Sequence, residues 1–265
     1  MNTQRRFLEL ACRAACQAGK IHLKYFKPGL AVKTKKDSFD LLTAADIKAE
    51  RAVVALIRRE FPGHNILAEE HDYGKNSSEF TWIIDPLDGT NNFACGIPIF
   101  CVSIALAHGN QLLAGAVYDA TRDELFYASK GRGAFLNKRR IRVNKAATLK
   151  ESLLITGFYY DRGKRMIETL EAIKQFHFKR VIGIRRLGAA ALDMCYVACG
   201  RAAGFWEFTL SPWDFCAGKL LIEEAGGKVS GCRGEEVPLY EKHFIVASNR
   251  KIHPLMLSIL RTVSS

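Results

Sequence analysis

The sequence predicts a mixed α/β fold built in layers, an α+β first half followed by an alternating second half. Three observations carry it. Two helical patterns, at 4–26 and 46–61, come first; short apolar strands with hairpin signals crowd 65–145; from about 150, strands and helices alternate.

The opening stretch MNTQRRFLELACRAACQAGK has Glu9 and Arg13 among its apolar positions. It therefore reads as an amphipathic helix and not as a signal peptide. Pro28-Gly29 stops it. Residues 31–40 (AVKTKKDSFD) read as a basic, irregular loop. The second helix has apolar positions at Ile47, Val53, Val54 and Ile57, and Pro62-Gly63 ends it.

Strands are predicted next at 65–68 and 80–84, then at 100–108 and 112–118 around the hairpin signal Gly109-Asn110. Further strands fall at 124–128, and at 134–136 and 141–143 around Asn137-Lys138, so 65–145 is expected to form one antiparallel sheet. The second half then pairs strands 152–156, 179–184 and 203–207 with helices 162–176, 189–199 and 213–225. Strands 228–230 and 244–247 precede a last helix at 252–262. Two units, 1–147 and 148–265, are expected to meet without a flexible linker.

A chain of 265 residues allows one large domain or two tightly packed halves. With 48% hydrophobic residues it can bury a sizeable core. No run approaches the roughly 20 apolar residues of a membrane span, so a cytoplasmic protein without membrane contact is expected. The eight cysteines include no C-x-x-C, which argues against zinc and for reduced, mostly buried thiols. The formal charge of +12 favours anionic partners, either a phosphorylated substrate or nucleic acid.

Chemistry concentrates in Trp82-Ile-Ile-Asp85-Pro-Leu-Asp88-Gly-Thr90-Asn-Asn-Phe93. An apolar strand ends at Asp85, Pro86 turns the chain, and a turn would let Asp85 and Asp88 converge. Gly89-Thr90 then opens a helix whose free N–H groups suit a phosphate. Carboxylates beside a phosphate cradle suit Mg²⁺, a hard cation that bridges protein carboxylates to substrate phosphate. The pair Glu69-Glu70 ends another strand, and one of the two is expected to join the site. Asp214, in Pro212-Trp213-Asp214, sits where a helix N-cap is expected.

The order E-E, D-P-L-D-G-T-N-N-F, P-W-D-F-C-A-G-K-L-L-I-E-E-A-G-G resembles the signature of the inositol monophosphatase family, most closely its bacterial members. Asp40-Leu-Leu-Thr43-Ala-Ala-Asp46, Gly131-Arg-Gly-Ala-Phe-Leu-Asn137, Arg185-Arg-Leu-Gly188-Ala-Ala-Ala-Leu-Asp193 and Gly204-Phe-Trp-Glu207 also match, so the likeness runs from about Gly19 to Ala247. It implies the five-layer αβαβα sandwich shared with fructose-1,6-bisphosphatase. It implies hydrolysis of inositol 1-phosphate with two or three Mg²⁺ per site, lithium sensitivity and a homodimer.

By motif, Glu69, Asp85, the Leu87 carbonyl, Asp88 and Asp214 would hold metal. Glu69, Asp46 and the Thr90 hydroxyl would take part in catalysis, the last two by orienting or activating the attacking water. Asp88, Asp214 and the Gly89 and Thr90 N–H groups would face the substrate phosphate. Gly188, Ala189, Ala190 and Glu207 would line its alcohol side. Three residues depart from the family pattern: Ala189 replaces a frequent Ser or Thr, His71 a frequent Ser, and Asn91 a frequent Thr.

Two alternatives stand beside this reading. The first is a related sugar, nucleotide or histidinol phosphatase. The second is a partner of RNA or the transcription machinery, suggested by the basic hairpin 130–145 with Lys130, Arg132, Lys138, Arg139, Arg140, Arg142 and Lys145.

Overall fold

A computed structural model describes residues 3–26, 32–34, 41–158 and 162–263. Five layers succeed one another: helices, sheet, helices, sheet, helices. The first layer is α1 (Thr3–Tyr25) and α2 (Ala44–Glu60). Leu10, Ala14 and Ala18 of α1, and Val53 and Ile57 of α2, recur at helical spacing, so each helix has one apolar face turned to the first sheet. Between the helices, β1 (Val32–Thr34) pairs antiparallel with β2 (Leu41–Thr43). The irregular loop expected at 31–40 thus contains a strand; residues 31 and 35–40 lie outside the described residues.

The first sheet has seven strands side by side in chain order. They are β3 (Asn65–Ala68), β4 (Phe80–Asp88), β5 (Cys101–His108), β6 (Gln111–Asp119), β7 (Glu124–Ser129), β8 (Gly133–Leu136) and β9 (Arg139–Arg140). Gly109-Asn110 makes the expected tight hairpin, with Gly109 at a φ of 53°. Two expectations are corrected. β3 and β4 run parallel, because segment 69–79 carries the chain back before β4 begins. The strand expected at 141–143 does not form; the Val143 N–H leaves the sheet and donates to the Ala225 carbonyl of the second half.

The second sheet orders β11 (Gly183–Arg185), β10 (Leu153–Thr156), β12 (Gly204–Leu210), β14 (His243–Asn249) and β13 (Gly227–Ser230). Its first three strands are parallel and the rest antiparallel. β11 is shorter than the strand expected at 179–184, because Arg180 adopts a φ of 57° just after the preceding helix. Helices α5 (Ala190–Ala198) and α6 (Pro212–Glu224) lie between the sheets, and both are apolar nearly all round, as a sandwiched helix must be. Helices α4 (Lys164–Phe178) and α7 (His253–Val263) cover the outer face, where Phe176, Trp206 and Met256 are fully buried. All eight cysteines are free thiols, three of them buried and Cys95 exposed, fewer buried than expected.

Candidate active site

β4 does not end at Asp85 as the sequence suggested; it runs on to Asp88 through a bulge. Asp85 pairs with Ser103 and Asp88 with Cys101, so one extra residue sits on β4 between the two carboxylates. In a regular strand, residues three apart point to opposite faces. The bulge removes that opposition, and both carboxylates line one cleft of about 760 Å³. Pro86 occupies the bulge, where its missing N–H breaks no ladder bond. The Leu87 N–H donates to Asp85 Oδ1 at 2.9 Å and closes the turn.

The chain then enters the five-residue helix α3 (Thr90–Ala94) through Gly89, whose φ is 94°. A side chain at position 89 would lie 2.8 Å from the Ile99 carbonyl, so this turn needs glycine. The Thr90 hydroxyl donates to the Leu87 carbonyl at 3.0 Å, leaving its oxygen lone pairs able to accept from another group.

Glu69 comes directly after β3 and lines the cleft, while the Glu70 N–H is drawn away to the carboxylate of Glu50 in α2. Asp214 also lines the cleft, but it is not the N-cap the sequence suggested. Ser211 is the N-cap, Pro212 opens α6, and Asp214 is the third helical residue, accepting the Ser211 N–H at 2.7 Å. Its carboxylate thus serves both the helix end and the cleft.

Three hydrogen bonds tie the halves together here. Asp88 Oδ2 accepts the Ala191 N–H at 2.7 Å, Asn92 Nδ2 donates to the Leu187 carbonyl at 2.8 Å, and the Ser103 hydroxyl donates to the Trp213 carbonyl at 3.0 Å. On the far wall, Gly188, Ala190 and Glu207 line the cleft. Ala189 lies buried behind it, with its carbonyl bound to the Asp193 N–H. Asp46 is buried in the first turn of α2 and is close enough for its charge to act on Asp85.

Burial pushes Asp85 and Asp214 well above the usual carboxylate range, and the charge of Glu69 is the next largest cause for each. Asp88 is pushed up to about 6 by burial, held back by backbone N–H groups of Ala191 and Ala190. Glu207 is pushed up to about 8 by burial and then by Asp88, with Arg186 opposing. Among the described residues no three His, Cys, Asp or Glu side chains are already gathered as a metal-holding group. Asp85, Asp88 and Asp214 each give one oxygen to a backbone N–H. The donor set still fits a hard divalent cation, since it is all oxygen and its members raise one another for want of positive charge.

Among the lining residues that sequence reading missed, three stand out. Arg186 and Lys242 are exposed cations on the rim, and Thr209 is a β-branched residue held at a φ of 61° in the bulge of β12. Such strain collects at functional sites. Of these three, Arg186 stood inside a recognised motif, and nothing local marked Thr209 or Lys242.

A five-layer αβαβα sandwich with a carboxylate-lined cleft where its two sheets approach defines a class of phosphatases. Within it, this chain belongs to the inositol monophosphatase family, whose sequence profile matches residues 3–265. The chain is 42% identical over 260 residues to the Nus factor SuhB of Pseudomonas aeruginosa, covering 96% of this chain and 95% of that protein. It is 42% identical over 249 residues to the inositol-1-monophosphatase of Synechocystis sp., covering 93% and 86%. The solved inositol monophosphatase from Anabaena (Nostoc) sp. PCC 7120 superposes with a TM-score of 0.87 at 39% identity, covering 98% of this chain and 97% of that one.

Proposed function

We propose that this protein hydrolyses a phosphate monoester, inositol 1-phosphate foremost, in the cytoplasm with Mg²⁺ bound by Glu69, Asp85, the Leu87 carbonyl, Asp88 and Asp214. One observation carries the reading: four acidic residues from three separate segments line one cleft beside a glycine turn that opens a helix. When bound, Mg²⁺ would neutralise phosphate charge, acidify the attacking water and stabilise the departing alkoxide.

The chain's own groups do the rest. The Gly89 and Thr90 N–H groups hold phosphate oxygens at the start of α3. The Thr90 hydroxyl, steadied by the Leu87 carbonyl, accepts from the attacking water, and the buried Asp46, whose charge acts on Asp85, helps orient that water. Asp88, held by the Ala191 N–H, keeps the far wall in register with the phosphate turn. Glu207, protonated up to about pH 8, can donate to a hydroxyl of a polyol leaving group, with Gly188 and Ala190 shaping the space beside it. The formal charge of +12 favours approach of an anionic substrate. A homodimer fits the exposed apolar residues Ile167, Leu170, Phe178 and Ile182, which run along α4 to the edge of β11.

The test is a phosphate-release panel with Mg²⁺ or EDTA, comparing inositol 1-phosphate, fructose 1,6-bisphosphate, adenosine 3′,5′-bisphosphate and histidinol phosphate. Mg²⁺-dependent turnover led by inositol 1-phosphate is expected. Turnover unaffected by EDTA would refute the metal assignment, and another leading substrate would move the assignment to that branch.

A second reading, contact with RNA in the transcription machinery, rests on the hairpin of β8 and β9. Lys130, Arg132, Lys138, Arg139, Arg140, Arg142 and Lys145 are all exposed there. Steeply salt-dependent RNA binding, lost on charge reversal at Lys138, Arg139 and Arg140 with phosphatase activity intact, is the expected signature. Affinity equal to that of an unrelated basic protein would end this reading.

A further inference from the structure

Glu69 leaves the end of β3 with its N–H on the Ile84 carbonyl, a long bond of 3.3 Å. The residues immediately after Glu69 are held from outside the sheet, by Glu50 of α2, whose relative exposure is 0%. Glu50 Oε2 accepts the Glu70 N–H at 3.0 Å. Its Oε1 accepts Nδ1–H of His71 at 2.6 Å and the Tyr73 hydroxyl at 2.9 Å. The Arg58 guanidinium stacks over the Tyr73 ring at 5.1 Å and holds that donor in place. One buried carboxylate thus gathers three donors from the segment that succeeds Glu69.

Burying a carboxylate costs several kcal/mol unless its lone pairs are satisfied, and an apolar residue would fill the same space without that cost. The three bonds give the buried charge a specific role. They fix the path of the chain at Glu70, next to a cleft-lining carboxylate. Asp46 stands one helical turn before Glu50 and is also buried, so both occupy the same face of α2. That single face carries Asp46, whose charge acts on Asp85, and the carboxylate that fastens the segment after Glu69.

We propose that Glu50 is a positioning residue that sets Glu69 for cation binding, acting through the Glu70 N–H and the side chains of His71 and Tyr73. The proposal rests on the Mg²⁺ reading above. Without Glu50, the Glu70 N–H, His71 and Tyr73 lose their shared acceptor, and a shift of about 1 Å in a ligand is enough to weaken a metal site. Loss of a partner that orients a metal ligand typically costs about 10–100-fold in affinity.

The experiment is Mg²⁺ titration calorimetry on the full chain, wild type against Glu50→Gln, His71→Ala and Tyr73→Phe, with the metal-free Tm measured beside it. Glu50→Gln keeps the volume but leaves one carbonyl oxygen for three donors. The expected result is a Kd for Mg²⁺ weakened about tenfold or more, with His71→Ala and Tyr73→Phe each weakened less. At saturating Mg²⁺, kcat should return to within a few-fold of wild type. A merely structural role would lower the metal-free Tm and leave the Kd unchanged, and that result overturns the proposal. Should Glu50→Gln fail to fold, His71→Ala decides, since the His71 side chain is 42% exposed and its loss is tolerable to the fold; an unchanged Kd there also overturns it. A folded wild type that binds no Mg²⁺ sinks the metal reading as well, whereas wild type and variants binding equally well sink only the role of Glu50.

Discussion

Asp88 and Ala191 are 103 positions apart in sequence, and the Asp88 carboxylate accepts the Ala191 N–H at 2.7 Å. This bond fastens the bulged end of β4 to the N-terminus of α5, where free N–H groups and the helix dipole favour a negative charge. The same residue lines the cleft.

Asp88→Asn should preserve the fold and remove turnover. The amide can still accept the Ala191 N–H, but its other side becomes an NH₂ group facing the cation position. Partners that merely orient metal ligands cost about 10–100-fold, so loss of a ligand charge should cost at least about a hundredfold. Phosphate release at saturating Mg²⁺, with circular dichroism as the folding control, checks this; a near-normal rate would remove Asp88 from the ligand set.

Glu207 and Gly157 should govern substrate choice more than metal dependence. A Cβ at position 157 would fall within 1.9–2.3 Å of the Glu207 carboxylate atoms, so Gly157→Ala must displace that carboxyl group. Both Gly157→Ala and Glu207→Gln should raise KM for a polyol phosphate several-fold, roughly one lost hydrogen bond, with the Mg²⁺ dependence unmoved. Steady-state kinetics at varied Mg²⁺ would expose the reverse pattern.

Gly89→Ala should be costly in both stability and rate. The φ of 94° and the 2.8 Å approach to the Ile99 carbonyl leave no place for a methyl group. A destabilisation of about 1–3 kcal/mol in urea is expected, together with loss of phosphate-dependent rate.

The metal-free protein should lose stability as pH rises through the neutral range. Folded Asp88 and Glu207 titrate near 6 and 8, above ordinary carboxylates, and Asp85 and Asp214 are also pushed well up by burial. The folded state then keeps protons that the unfolded chain releases, so unfolding free energy falls with rising pH from about 4 to about 8. His22 and His253 oppose this. Burial holds both down near 4, so they add stability as pH rises to about 6.5 and nothing beyond. The window from about pH 6.5 to 8 therefore isolates the carboxylates. In EDTA the Tm should fall across it, and Mg²⁺ should raise the Tm more at the upper end, where its ligands are deprotonated. A flat Tm in EDTA would mean the carboxylates are not buried against one another.

Much of this architecture was legible because its signals are local. Pro62-Gly63 and Gly109-Asn110 mark element ends, and the contiguous strings around Asp85 and Asp214 mark the cleft. The features that escaped depend on distant partners. The β4 bulge is set by pairing with Ser103 and Cys101, and the parallel start of the sheet by where segment 69–79 returns. Asp214 was misplaced by three positions in its helix because Pro212 is itself helical and Ser211 is the cap. Lys242, Thr209 and Glu50 carry no local pattern; only the folded chain brings them to the cleft or to the residues after Glu69.

The most direct measurement is anomalous diffraction from crystals soaked in Mn²⁺ as a visible substitute for Mg²⁺. At least one strong peak is expected in the cleft, coordinated by carboxylate oxygens of Asp85 together with Glu69, Asp88 or Asp214. A fully exchanged crystal with no peak within bonding distance of those side chains would refute the metal site.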